Sequence, residues 1–127
     1  MSPRSRMGEL EQAVLECLWD LDATGGAESR GASGREVHAR LVGRDLAYTT
    51  VMTVLDRLVA KDVVVREREG RAFRYAPRLG RAAMTAELMR EALDATGAER
   101  GQALVSFVGE ASAEDLAALR RALAELA

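Results

Sequence analysis

Three threonines and a series of cationic side chains carry most of the chemistry this chain can offer. Tyr48, Thr49, Thr50 and Thr53 are followed by Arg57 and Lys61, and then by Arg68, Arg71 and Arg74. Threonine hydroxyls hydrogen-bond and their methyls make apolar contact, a combination suited to DNA base edges and the thymine methyl. Guanidinium and ammonium groups neutralise phosphates. Nothing comparable exists for catalysis. With one His and one Cys in 127 residues, there is no paired-His motif, no glycine-rich phosphate loop and no nucleophile elbow. Glu114 and Asp115 follow Ser112, where a helix start favours acids, so their placement already has an explanation. No enzymatic activity, catalytic residue, cofactor or metal ligand is expected.

Those side chains need elements to hold them. Between Ala47 and Lys61, Val51, Val54, Leu55, Leu58 and Val59 recur at i, i+3, i+4, i+7, i+8, one apolar face of an α-helix. Tyr48, Thr49, Met52, Thr53, Asp56 and Arg57 fall on the other face. Val63 to Glu67 and Ala72 to Ala76 read as short strands, with Glu69-Gly70 between them where glycine can supply a positive φ. Arg66 to Arg74 is thus a hairpin, with Phe73 and Tyr75 on one face and Arg74 on the other. Pro77 ends it.

Upstream, Gly8 to Leu21 predicts a first helix with Leu10, Ala13, Val14, Cys17, Leu18 and Leu21 on one stripe and Trp19 closing a side of the core. Cys17, within that stripe, reads as a buried, inert thiol. Asp22 to Ala32 shows no periodicity and reads as a surface loop. Ser33-Gly-Arg-Glu36 is a capping box opening a second helix with Val37, Leu41 and Val42 inward. His38, beside that face, has no second histidine or cysteine pair and reads as a boundary side chain rather than a ligand. Three helices and a hairpin in this order make a winged helix-turn-helix over residues 1–78, with helix 47–61 as the groove-entering element and 66–74 as the wing. The predicted core is Leu10, Val14, Cys17, Leu18, Val37, Leu41, Val51, Val54, Leu55, Leu58, Val63, Val65, Phe73 and Tyr75.

From residue 79 to 127 the pattern is helical throughout. Met84, Leu88 and Ala92 or Leu93 share one helix, Gly97 breaks it, and Leu104, Val105, Phe107 and Val108 mark a shorter one. Ser112 opens a last helix in which Leu116, Leu119, Leu123 and Leu126 are spaced 3, 4, 3, a heptad seam of about two heptads. Such helices bury little alone, which suggests a dimerisation region made of Leu88, Leu104, Phe107, Val108, Leu116, Leu119, Leu123 and Leu126. The other arrangement is that they fold back within one chain.

Charge follows the same division. The chain carries −2 overall, but residues 33–78 hold ten Lys/Arg against six acids, while the segments on either side are each acidic. A positive segment centred on the threonine-bearing helix is the footprint of a nucleic-acid-contacting half. No run approaches the ~18 apolar residues of a membrane span, no apolar stretch follows Arg4 and Arg6 to make an export signal, and one cysteine fits a cytoplasmic setting.

The chain resembles the penicillinase repressor family of winged-helix regulators, which includes β-lactamase, methicillin-resistance and copper-responsive repressors. The resemblance is carried by Leu10-Glu-Gln-Ala-Val-Leu-Glu-Cys-Leu-Trp19, Tyr48-Thr-Thr-Val-Met-Thr-Val-Leu-Asp-Arg-Leu58 and Glu69-Gly-Arg-Ala-Phe-Arg-Tyr75, with Phe107-Val108 and the Ser112-led final helix behind them. It implies a homodimer that binds a palindromic operator on double-stranded DNA and represses resistance or stress genes, with dimer contacts in the second half. It also implies release by a protease linked to a membrane sensor, at an Asn-Phe bond whose counterpart here is Ser106-Phe107. The cysteine motif of copper-type members is absent, and Ala47 stands where members often carry a hydroxyl cap. Two other functions remain open on the residues alone: a winged-helix adaptor for protein partners, and a regulator responding to a small ligand.

Overall fold

Helix α1 (Glu9–Gly25) opens the fold as a computed structural model presents it; residues 7–25 and 31–127 are described. There follow β1 (Ala32–Ser33), α2 (Gly34–Arg40), α3 (Tyr48–Ala60), β2 (Val64–Glu69), β3 (Ala72–Pro77), α4 (Arg81–Thr96), α5 (Arg100–Glu110) and α6 (Ala113–Leu126). α1 runs four residues past the end expected at Leu21, because no stop signal intervenes before Gly25. The rest of the expected loop at residues 26–30, and the Val42 side chain, lie outside what is described. Two compact units result, one within residues 1–88 and one spanning Met89–Ala127.

The first unit is a winged helix. Ser33 caps α2 as its sequence predicts: the Glu36 amide donates to Ser33 Oγ at 3.1 Å, and the Ser33 amide donates to Glu36 Oε1 at 3.2 Å. A short 3-10 turn at Val42–Arg44 leads to α3, whose cap residue Ala47 makes no side-chain hydrogen bond. His38 supports this turn, its Nε2 lying 2.7 Å from the Leu46 carbonyl. At its other end α3 closes in a Schellman motif: the amides of Asp62 and Val63 donate to the carbonyls of Val59 and Leu58, with Asp62 at φ 62°.

The wing is a hairpin with Gly70 and Arg71 as its two link residues. Gly70 has φ 63° and Arg71 is not in the positive-φ region, the pattern of a turn that wants glycine first. A third strand, which the sequence did not signal, completes the sheet in the order β1-β3-β2, all antiparallel. Gly31 makes that pairing possible: its φ is 86°, and a Cβ there would sit 2.6 Å from the Tyr75 carbonyl oxygen.

The core joins Val14, Leu15, Leu18, Val37, Val51, Leu55, Leu58 and Tyr75, all essentially sealed from solvent. Leu10, Leu41 and Phe73 pack against it from the edge. Val65 does not belong to it. Val64 is 2% exposed and Val65 47%, because successive strand residues face opposite ways and the register sets Val64 against Pro77. Leu15, absent from the expected stripe, is fully buried. Trp19 closes one side, donating through Nε1 to the Leu79 carbonyl at 2.9 Å while Arg81 lies over its ring. Met84 is buried and Leu88 packs on the same core, so the first turns of α4 belong to the winged helix. Leu88 therefore faces this core and not the dimerisation face expected of it.

The second unit contains the end of α4, α5 and α6. Gly97 (φ 69°) breaks the chain between α4 and α5, and Ser112 caps α6 by accepting from the Asp115 amide at 3.0 Å. Neither α5 nor α6 contains a buried residue.

Candidate nucleic-acid interface

α3 turns its apolar stripe into the core and leaves Tyr48, Thr49, Thr50, Thr53, Asp56 and Arg57 in solvent. Thr49, Thr53 and Arg57, spaced by four, form one line along that face. The Thr53 hydroxyl donates back to the Thr49 carbonyl at 3.0 Å. Its hydrogen is thereby occupied, and the side chain offers acceptor lone pairs and a methyl. Tyr48 stands at the helix start with its ring edge-on to His38, centroids 5.9 Å apart.

The cations divide by whether they already hold a partner. Among the described residues, Arg57 and Arg71 are exposed and make no ion pair, as does Arg35 on α2. Lys61 is different: its ammonium lies 2.5 Å from Glu11 Oε2, with both side chains mostly covered. It ties α3 to α1 and is not presented as a free phosphate anchor. Arg74 is likewise committed. It lies on the opposite wing face from Phe73, donating to the Gly31 carbonyl at 2.7 Å and to Glu36 at 3.2 Å, with Glu69 at 3.8 Å. That network fastens β1 and the start of α2 to the wing.

The two wing faces differ in chemistry. Val64, Arg66 and Arg68 stand opposite Pro77, Tyr75 and Phe73; Glu67 and Glu69 stand opposite Arg74 and Ala72. On the first face Arg66 and Arg68 lie over the Phe73 ring, at 4.3 and 5.9 Å from its centroid. Arg66 also reaches Asp56 of α3 at 3.7 Å. This residue was not singled out from sequence, although its i, i+2 spacing to Arg68 put both on the Phe73 face. It links the wing to α3, with Tyr75 beneath. Burial pushes the Tyr75 phenol above its usual range, Asp56 adding to the effect.

The residues singled out in the second unit lie on exposed helix surface. Leu104, Phe107, Val108, Leu119, Leu123 and Leu126 are exposed and Leu116 is half-buried. Within that unit an apolar cleft of about 380 Å³ is lined by Met89, Leu93, Leu104, Phe107, Val108 and Leu119 among others. Met89, which the sequence reading passed over, shares it. Ser106 and Phe107 sit inside α5.

Burial pushes the Cys17 thiol above its usual range, which keeps it protonated and unreactive. Among the described residues no cluster of His, Cys, Asp and Glu could hold a metal ion, and no helix is long and apolar enough to cross a membrane.

A threonine-faced helix α3, a helix-turn-helix connection and an arginine-bearing wing define a protein of the winged-helix class. The penicillinase repressor family model matches residues 7–125, and the chain belongs to that family. It is 46% identical to the transcriptional regulator BlaI of Mycobacterium tuberculosis, strains CDC 1551 / Oshkosh and ATCC 25618 / H37Rv, over 99% of this chain and 88% of the relative. Its class is thus that of a transcriptional regulator, which is not an enzyme class.

Proposed function

We propose that this chain is a homodimeric transcriptional repressor that binds a palindromic operator and controls β-lactam-resistance or stress genes. The observation that carries the DNA half is the sorting of cations around α3. Arg57 and Arg71 remain unpaired beside an exposed threonine face, while Lys61 and Arg74 are spent on the fold. Thr49, Thr50 and Thr53 read base edges in the major groove; Arg57, Arg68 and Arg71 neutralise phosphates, and Tyr48 at the helix start meets the backbone. Membership of the penicillinase repressor family and the likeness to the transcriptional regulator BlaI support the regulatory role.

Two copies supply what one lacks. A single recognition helix reads only a short site, and pairing through α4–α6 sets two such helices a helical turn or a multiple of it apart. The exposed apolar side chains of α5 and α6 support this use. The DNA-binding unit includes the first turns of α4 in this reading, and the chain works in the cytoplasm. Release by a protease linked to a membrane sensor, at Ser106-Phe107, requires α5 to open first, because a protease takes its substrate extended.

Selection of duplexes from a randomised pool, followed by titration at several salt concentrations, tests the DNA half. Sequence preference with a log–log salt slope of several units is expected; a flat salt response removes it and favours the adaptor reading. Thr49 and Thr53 changes shift the preferred sequence, whereas Arg57→Gln weakens all duplexes alike. Sedimentation of the intact chain tests the dimer, which a monomer at all concentrations would eliminate.

A further inference from the structure

The geometry points to a phosphate clamp: Arg35 of α2 and Arg71 of the wing turn grip one backbone phosphate across the cleft beside the recognition helix. This rests on the duplex-binding reading above. The cleft has a volume of about 360 Å³ and is lined by Gly34, Arg35, Tyr48, Met52, Arg71 and Phe73 among others, none of its lining residues being acidic. Its two cations come from different elements, both are exposed, and neither makes an ion pair among the described residues. Beside the two cations, part of the lining suits the sugar that such a phosphate carries. Tyr48, Met52 and Phe73 give it apolar walls with one hydroxyl.

Gly34 shapes the floor. A Cβ there would stand 2.4 Å from Met52 Sδ and 3.2 Å from the Tyr48 hydroxyl, so these two side chains lie against bare backbone. The first helix of a helix-turn-helix crosses the DNA backbone when the second enters the groove, which brings the start of α2 to the strand bordering that groove. Guanidinium groups match phosphate oxygens two at a time. Two of them, one on α2 and one on the wing, fix the wing relative to the helix-turn-helix once the phosphate is seated.

The clamp makes a numerical prediction about shared charge. Binding of the wild-type chain, Arg35→Gln, Arg71→Gln and the double variant is titrated against salt on a duplex that the wild type selects from a random pool. One neutralised phosphate contributes a slope of about 0.9. The double variant should therefore lose no more than about 0.9 in total, with base preference unchanged and Arg57→Gln subtracting its own share. A loss near 1.8 in the double variant means two separate phosphates and overturns the clamp. An Arg35→Gln chain that binds like wild type also overturns it, while wild-type binding leaves the duplex reading standing. Absence of wild-type binding removes that reading itself. Gly34→Ala gives a charge-neutral check: raising the cleft floor should weaken every duplex alike. Thermal melting of the free variants separates loss of the clamp from loss of the fold.

Discussion

The two units of this chain spend their apolar residues in opposite ways. Up to Leu88 the large apolar side chains converge on a sealed core in which Leu15, Leu55, Leu58 and Tyr75 have almost no contact with solvent. From Met89 onward no apolar side chain is buried, and Phe107 and Leu123 are 48% and 66% exposed. Helices of eleven and fourteen residues are marginal when nothing covers their apolar faces. The winged helix thus has what it needs to fold as a single copy. The second unit carries caps and helix formers but leaves its hydrophobic contribution unspent, which is the physical basis for proposing that it is completed by another copy.

The largest expected effect tests that contrast directly. Leu55→Ala leaves a hole in the sealed core and should cost about 2–5 kcal/mol in urea unfolding, whatever the protein concentration. Leu123→Ala removes a side chain that is mostly in water, so it should change little in dilute solution. Its effect should instead appear as a weaker rise of the unfolding midpoint with concentration. Equal losses from both substitutions in dilute solution would break the comparison.

Gly31→Ala sharpens it on the side of the first unit. Gly31 combines a φ of 86° with a Cβ position 2.6 Å from the Tyr75 backbone oxygen. The expected cost is about 1–3 kcal/mol, measured by urea unfolding, with α3 and its threonine face affected only through the shift of β1 against β3. A substitution with no cost would mean that the third strand contributes nothing to the wing's support.

Legibility from sequence followed the range of the interactions. The capping box at Ser33, the glycine turn at Gly70, the apolar stripe of α3 and the Ser112 cap are local patterns, and each sits in the structure where its residues place it. β1 was invisible because two residues cannot show a period; only the pairing of Ala32 with Tyr75 across more than forty positions defines it. Val65 was misassigned for the same reason: three consecutive valines do not say which way a strand faces until Pro77 and Tyr75 fix the register. In the candidate site, residue type found the cations but could not tell which were free. Lys61 and Arg74 are held by Glu11 and Glu36, distant acids that no spacing reveals.

A smaller effect concerns acid. Arg81 holds the Glu16 carboxyl below its usual range, and the Ser33 amide does the same for Glu36 at the capping box, with Arg74 assisting. A carboxylate with a depressed folded-state pKa stabilises the fold above the ordinary Glu value of about 4.3. That contribution is lost as pH falls through the lower folded value. Both groups are substantially exposed, so each contribution is small after screening. Glu36→Gln keeps a side chain that can cap but no longer titrates, and should flatten the acid limb of urea midpoints measured from neutral pH down to about 3. An unchanged acid limb would assign the acid loss elsewhere, Glu16 being the next variant to measure. Both carboxylates belong to the first unit, so the acid limb should report on the winged helix.

The smallest expected effect is a gain. Asp62 occupies the left-handed position that ends α3, a place where glycine is preferred because a Cβ crowds the carbonyl. Its exposed carboxylate faces the partly covered Arg78 at 3.7 Å, a long pair that contributes little, and the stronger contact from Arg78 Nε goes to the Asp62 backbone carbonyl at 2.6 Å. Asp62→Gly keeps the backbone acceptor and removes the strain. Glycine also gains freedom in the unfolded chain, which offsets part of the benefit. The net expectation is a stabilisation of up to about 1 kcal/mol, read as a higher urea midpoint at unchanged m-value. Because the Schellman motif lies in the first unit, the same variant should leave the concentration dependence expected of the proposed dimer unchanged. A destabilised Asp62→Gly would mean that the interactions of the aspartate side chain outweigh the strain of the left-handed helix stop.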